Sequence, residues 1–195
     1  MRHPGTGKPM RPFRFWPESG LPDNILAAVK KAKYERPSGV QMQCIPLGLA
    51  CKDVIGVAKT GSGKTCAFVL PMLVYILKQP PITPETAAEG PLALIMAPTR
   101  ELVQQIEDET KKFASELKIR VYSVVGGLSI EDQSFIQSQG VEVMVATPGR
   151  LCDALDRRYV GEADTSRSAR LASPFGGADV VLRRGLLHDG GHFLP

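Results

Sequence analysis

One short run constrains this chain more than any other: Ala58-Lys59-Thr60-Gly61-Ser62-Gly63-Lys64-Thr65, set between the apolar stretch Asp53 to Val57 and a long apolar segment that starts at Lys64. A glycine-rich turn between a strand and a helix lets successive backbone N–H groups converge on one point. The helix N-terminus adds positive potential there, so the turn holds a polyphosphate. Lys64 is placed to meet β- and γ-phosphates as a point charge. Thr65 is placed to put its hydroxyl on Mg²⁺, and Gly61 and Gly63 let the backbone approach closely. Ala58 stands where the strict phosphate-loop pattern has glycine, but the strand–turn–helix setting is intact. Nucleotide binding is the expectation.

The flanking pattern predicts an α/β fold. Helical spacing runs from Glu18 to Lys33, with Leu21, Ile25, Leu26 and Val29 on one stripe, and a short helix follows carrying Gln41, Ile45 and Leu49. Buried-type strands are expected at Asp53–Val57, Leu92–Ala97, Ile119–Val125 and Val141–Thr147. Helices are expected at Lys64–Leu77, Glu101–Ala114, Ile130–Gln137 and Arg150–Arg158. Four strand–helix alternations imply a parallel sheet with helices on both faces. Residues 1–15, rich in Pro, Arg and Gly, read as an extended, solvated lead-in to a domain over 16–160. The 35 residues from Gly161 to Pro195 contain no Lys, Ile, Met, Asn or Gln. They read as an unrelated tail, disordered or forming at best one strand near Asp179–Leu182.

Composition excludes little else. The formal charge of +4 permits nucleic-acid binding without arguing for it. No apolar run approaches the roughly 18 residues of a membrane span, and the N-terminus has no apolar core of a secretory signal. Cys44, Cys51, Cys66 and Cys152 form no C-x-x-C pair and read as small buried hydrophobes. His188 and His192 have two glycines between them, which argues against a helical metal pair.

Five segments in order over residues 16–158 resemble the DEAD-box family of ATP-dependent RNA helicases. They are the phosphate loop, Tyr34-Glu35-Arg36-Pro37-Ser38-Gly39-Val40-Gln41, Pro98-Thr99-Arg100-Glu101-Leu102 with Gln105, Gly126-Gly127, and Thr147-Pro148-Gly149-Arg150. Within the family, Arg14–Leu21, Ile106–Phe113 and Gly127–Gln133 are most similar to the branch that acts in pre-mRNA splicing on the tri-snRNP. The resemblance implies the first RecA-like domain of a helicase, using ATP and Mg²⁺, with RNA and spliceosomal proteins as partners, in the nucleus.

On that reading Gln41 pairs with an adenine edge, because an amide both donates and accepts whereas a carboxylate only accepts. Tyr34 stacks on the base, with Trp16 as a second apolar wall. Pro98, Thr99, Arg100, Gly126, Gly127, Thr147, Pro148, Gly149 and Arg150 meet the RNA backbone at strand ends. Such contacts are sequence-independent and salt-sensitive. Pro98 and Pro148 also fit as helix-start punctuation. Three positions depart from the family: Lys33 stands for Gly, Ser38 for Thr and Gly39 for Pro.

The Asp-Glu-Ala-Asp box that family hydrolysis requires does not occur in these 195 residues. Asp108-Glu109-Thr110 reads as a solvated helix face. Gly161-Glu162-Ala163-Asp164 keeps three letters of the box, which leaves Glu162 as a possible remnant, but no apolar strand precedes it. Val180-Val181-Leu182 is strand-like, yet Arg183-Arg184 follow where carboxylates are needed. Two functions therefore compete: an ATP-dependent RNA helicase by family, and an ATP- and RNA-binding fragment that hydrolyses nothing.

Overall fold

The computed structural model describes residues 11–87, 90–125, 139–156, 169–172 and 179–182. In chain order they form α1 (Asp23–Lys31), α2 (Gly39–Leu49), β1 (Val54–Ile55), α3 (Lys64–Leu77), β2 (Ala93–Met96) and α4 (Arg100–Ala114). β3 (Val121–Val124), β4 (Val143–Ala146), α5 (Pro148–Asp156), β5 (Ala169–Ala172) and β6 (Asp179–Leu182) follow. Single 3₁₀ turns cover Trp16–Glu18 and Ser115–Leu117.

The alternation is the one expected, with a difference at the start. The first helix begins at Asp23, not near Glu18. Gly20 turns the chain at φ 77°, and Pro22 precedes the helix in an extended conformation. At the other end Lys33 takes φ 62°, so its N–H donates to Lys30 O while Tyr34 N–H reaches back to Val29 O. The helix expected at Ile130–Gln137 lies outside the described residues.

The strands form one sheet in the order β1-β5-β6-β2-β4-β3. β4 pairs in parallel with both β2 and β3, and β1 pairs in parallel with β5. Successive residues of β4 point to opposite faces, and both faces are covered. Val143 and Val145 join a core with Ile95, α1, α3 and α4, whereas Met144 and Ala146 pack with Leu94 and Ala154 of α5. Such two-sided burial is what an interior parallel strand demands.

Helix α3 is buried almost all round, as its continuous apolar composition requires. It lies so close to α2 that a Cβ on Gly48 would sit 2.8 Å from the Pro71 ring. The lead-in also joins the core, since Phe13 is buried against Trp16 with ring centroids 5.9 Å apart. At the amino edge of the sheet the Arg120 guanidinium grips both oxygens of Glu142, at 3.0 and 2.6 Å, and binds Gln139 O. A planar fork on a carboxylate fixes the registry of β3 and β4 there.

Two expectations need correction. Of the tail, 169–172 and 179–182 are described, and both are strands in the sheet; the second matches the expected strand, and Ala169–Ala172 is additional to it. β6 runs antiparallel to β2 and to β5, so the sheet is mixed at that point. Of the four cysteines only Cys66 is fully buried, whereas Cys44 and Cys51 are partly buried and Cys152, on the outer side of α5, is exposed.

The turn before Tyr34 and the start of α2 both hold residues that suit their backbone poorly. A non-glycine residue in the left-handed region costs about 1–2 kcal/mol. Gly39 opens α2 after an extended Ser38, with open space at its Cβ, a position that favours proline. Lys33→Gly and Gly39→Pro are each expected to stabilise the fold by about 0.5–1 kcal/mol, and so to raise the thermal midpoint by about 1–4 °C. A fall in midpoint for either variant contradicts the backbone geometry at that position.

Candidate nucleotide and nucleic-acid site

Strand β1 delivers the chain into the loop from Gly56 to Gly63, and α3 leaves from it at Lys64. Two left-handed glycines shape the loop, Gly61 at φ 74° and Gly63 at φ 82°. No side chain caps α3, so the N–H groups of its first turn face the loop without an intrahelical acceptor. The Lys64 ammonium donates to the carbonyls of Ala58 and Lys59, curling the loop around its own cation. The hydroxyl of Ser62 is buried with no hydrogen-bond partner. A cradle of free N–H groups, a central ammonium and an orphaned hydroxyl fits the acceptor-only oxygens of a polyphosphate.

Gln41 and Ser38 hold the loop from behind. Gln41 Oε1 accepts from Ser38 N at 2.8 Å, and Gln41 Nε2 donates to Gly63 O at 3.2 Å. Ser38 Oγ donates to Ser62 O at 2.7 Å. Gln41 is only 2% exposed, so the alternative reading of an ordinary exposed helix residue does not hold. Both ends of its amide serve the backbone, and its side chain is not among those that line the cavity beside the loop.

A cavity of about 810 Å³ opens beside the loop. Its wall brings together Tyr34 and the whole loop from Ala58 to Thr65 with Gly56, Val57, Cys66, Leu102, Gln105 and Glu109. Trp16 is not on that wall. It lies behind Tyr34, buried, with its ring edge-on at 6.5 Å. The solvated face expected at Asp108-Glu109-Thr110 is corrected too: only Asp108 is exposed, Thr110 is fully buried, and Glu109 lines the cavity. Thr110 turns inward because its hydroxyl is satisfied by Ile106 O at 2.7 Å. Leu102, Gln105, Glu109 and Cys66 are additions to the expected nucleotide site. The i, i+3, i+7 spacing of the first three is the signal the sequence holds for them.

Burial, reinforced by the Glu109 carboxylate, pushes the Tyr34 phenol and the Cys66 thiol well above their ordinary ranges. Both stay protonated at neutral pH, and Cys66 is no nucleophile. Glu109 is the one carboxylate among the described residues on the wall. It accepts from the Tyr34 hydroxyl and from Lys112 Nζ. Among the described residues no three His, Cys, Asp or Glu side chains gather into a metal-binding group. The residues present therefore do not by themselves make a Mg²⁺ site.

The other motifs collect along the same carboxyl edge of the parallel strands. Met96 pairs with Ala146, so Pro98–Arg100 and Thr147–Arg150 leave the sheet side by side. Thr99 caps α4 by accepting from Leu102 N at 3.2 Å, and Pro148 is the first residue of α5. Pro98, Thr99, Arg100, Pro148 and Gly149 are exposed, and Arg150 holds Asp153 at 3.0 Å. Gly126, Gly127 and Glu162 lie outside the described residues. The direction of β6 also reverses an expectation: Asp179 pairs with Met96 at this carboxyl edge, whereas Leu182, which precedes Arg183-Arg184, is at the amino edge.

The family model for the DEAD/DEAH box helicase matches residues 38–169. The chain belongs to that family. An ATP-dependent RNA helicase ddx23 of Dictyostelium discoideum is 59% identical over 149 residues, which is 76% of this chain and 18% of that protein. The probable ATP-dependent RNA helicase DDX23 of Homo sapiens is 52% identical over 155 residues, 79% of this chain and 19% of that one. The chain thus spans about a fifth of these relatives' length. The crystal structure of the RNA helicase Prp28 from Chaetomium thermophilum bound to ADP superposes with a TM-score of 0.68 at 52% identity, over 76% of this chain and 36% of that one. The yeast DEAD-box splicing factor Prp28 gives a TM-score of 0.69 at 40% identity, over 78% and 37%. The α/β domain is therefore the RecA-like fold of a DEAD-box helicase, and its relatives include pre-mRNA-splicing helicases.

The loop lock makes an unequal pair of glycines. A Cβ at Gly63 would lie 2.4 Å from Gln41 Nε2, whereas Gly61 has open space. Gly63→Ala is expected to cost about 2–3 kcal/mol, from left-handed strain plus the lost hydrogen bond, and Gly61→Ala about 1 kcal/mol. Urea unfolding of the two variants measures the difference, and equal losses contradict the lock.

Proposed function

We propose that this chain acts as the nucleotide- and RNA-backbone-binding domain of a splicing-type DEAD-box helicase, holding ATP or ADP without turning ATP over. The observation that carries the binding half is the uncapped α3 N-terminus behind two left-handed glycines, with Lys64 at its centre and Ser62 Oγ unpartnered. The ADP bound to the similar Prp28 domain supports the same reading. Lys59, Thr60, Gly61, Ser62, Gly63 and Lys64 hold the phosphates. Tyr34 faces the base, with Gln41 holding the loop from behind. Thr65 is the residue a nucleotide-borne Mg²⁺ would meet.

RNA binds along the carboxyl edge through Thr99, Arg100, Thr147 and Arg150, with backbone N–H groups near Pro98, Pro148 and Gly149. Gly126 and Gly127 belong to the same proposed surface. These contacts read sugar and phosphate rather than base. Spliceosomal proteins as partners, and the nucleus as the place of action, rest on the likeness to splicing helicases. The domain extends beyond the composition-based limits of 16–160 at both ends, since Phe13 packs in the core and β5 and β6 pair within the sheet.

The inactive half rests on carboxylates. Phosphoryl transfer to water needs a residue that orients and activates the attacking water. Glu109, the one carboxylate on the cavity wall among the described residues, is occupied by Tyr34 and Lys112. The Asp-Glu-Ala-Asp sequence is absent.

Titration with a fluorescent ATP analogue tests the binding half. Lys64→Ala is expected to weaken binding at least about 10-fold, the loss of one charge-assisted phosphate contact. Unchanged binding refutes the phosphate-loop assignment.

A further inference from the structure

Tyr34 is held more rigidly than a surface tyrosine needs to be. Its backbone N–H is fixed to Val29 O, just after the left-handed Lys33. Its ring meets Trp16 edge-on at 6.5 Å and Phe113 at 5.7 Å, tilted by 49°. Its hydroxyl donates to Glu109 Oε1 on α4, and Glu109 Oε2 is in turn held by Lys112 Nζ at 2.5 Å. Both torsions of the side chain are thereby set, and the ring still borders the cavity.

We infer that Glu109 is a positioning residue for the base platform: it locks the Tyr34 ring in the orientation that receives a purine beside the phosphate loop. The inference rests on the nucleotide-binding reading and deepens it. A free tyrosine ring loses rotamer freedom when a base stacks on it, and a ring already anchored does not. The paired carboxylate also faces Cys66, which stays a neutral thiol, so no second anion competes for the site.

The same geometry separates this role from a structural ion pair. A structural role belongs to Glu109 and Lys112 together and affects phosphate and nucleotide ligands alike. A positioning role belongs to Glu109 and Tyr34 and affects only ligands that carry a base. The single tryptophan, Trp16, packs on Tyr34 and gives an intrinsic fluorescence signal for the platform.

The test uses the full chain, with ADP and inorganic tripolyphosphate as probes, read by calorimetry and Trp16 emission. Glu109→Ala is expected to weaken ADP about 3- to 10-fold and to leave tripolyphosphate unchanged. Glu109→Gln keeps an acceptor oxygen for the Tyr34 hydroxyl, so it stays within about 2-fold of the parent. Tyr34→Phe reproduces the Glu109→Ala loss, and the double variant is no weaker than either single one. Lys112→Ala leaves ADP affinity unchanged. Parental ADP affinity in Glu109→Ala overturns the inference, as do additive losses in the double variant or an equal loss for tripolyphosphate. If Glu109→Ala does not fold, Tyr34→Phe and Glu109→Gln decide by the same criteria. Failure of the parent chain to bind tripolyphosphate refutes the phosphate-loop reading itself, and that outcome is distinct from the others.

Discussion

The structure turns on the hydrogen bond from the Gln41 amide to the carbonyl of Gly63. The phosphate loop must end in a left-handed residue so that the first N–H groups of α3 point back at one place, and only glycine takes that conformation without strain. Ser62 N and Lys64 Nζ tie the Ala58–Lys59 side of the loop, and its Gly63 end is held from outside. The hold comes from α2, whose capping residues Ser38 and Gln41 spend their side chains on the carbonyls of Ser62 and Gly63. The packing of α2 on α3 at Gly48 and Pro71 brings the two helix starts into register for this. The start of α2 and the loop before α3 are therefore one mechanical unit.

From that unit α4 reaches across the domain. Its first turn carries Thr99 and Arg100 at the carboxyl edge, and its middle carries Gln105 and Glu109 on the cavity wall. Its far end packs Phe113 under Tyr34. A rigid helix of 15 residues thus joins the proposed RNA surface to the proposed base platform. Between β1 and β2 the sheet is filled by β5 and β6, so the phosphate-loop strand is paired through the tail and not directly to the parallel core.

Much of this is legible in the sequence, for identifiable reasons. The strands and helices that carry the motifs follow from local apolar periodicity, and α3 matches the expected Lys64–Leu77 because a strong apolar run begins at the loop and stops at Lys78. The phosphate loop is legible because its chemistry is local, confined to eight successive residues. What is not legible depends on partners distant in sequence. Gln41 is committed to a carbonyl 22 residues away, and Glu109 to a hydroxyl 75 residues away. Leu102, Gln105 and Glu109 mix apolar, amide and charged groups, so their shared face carries no hydrophobic stripe. The direction of β6 is likewise absent from its residues, since Val-Val-Leu pairs equally well either way. That direction decides whether Asp179 or the chain before Arg183 lies at the site edge.

A phosphate loop whose one neighbouring carboxylate among the described residues, Glu109, is taken up by Tyr34 and Lys112 is proposed to bind nucleotide and leave it intact. Steady-state phosphate release from ATP by the full chain measures this, with and without single-stranded RNA, at nucleotide concentrations that saturate binding. The expected result is no release above the level of a Lys64→Ala control, with RNA making no difference. RNA-stimulated turnover on the order of 1 s⁻¹, an ordinary enzymatic rate, would contradict it.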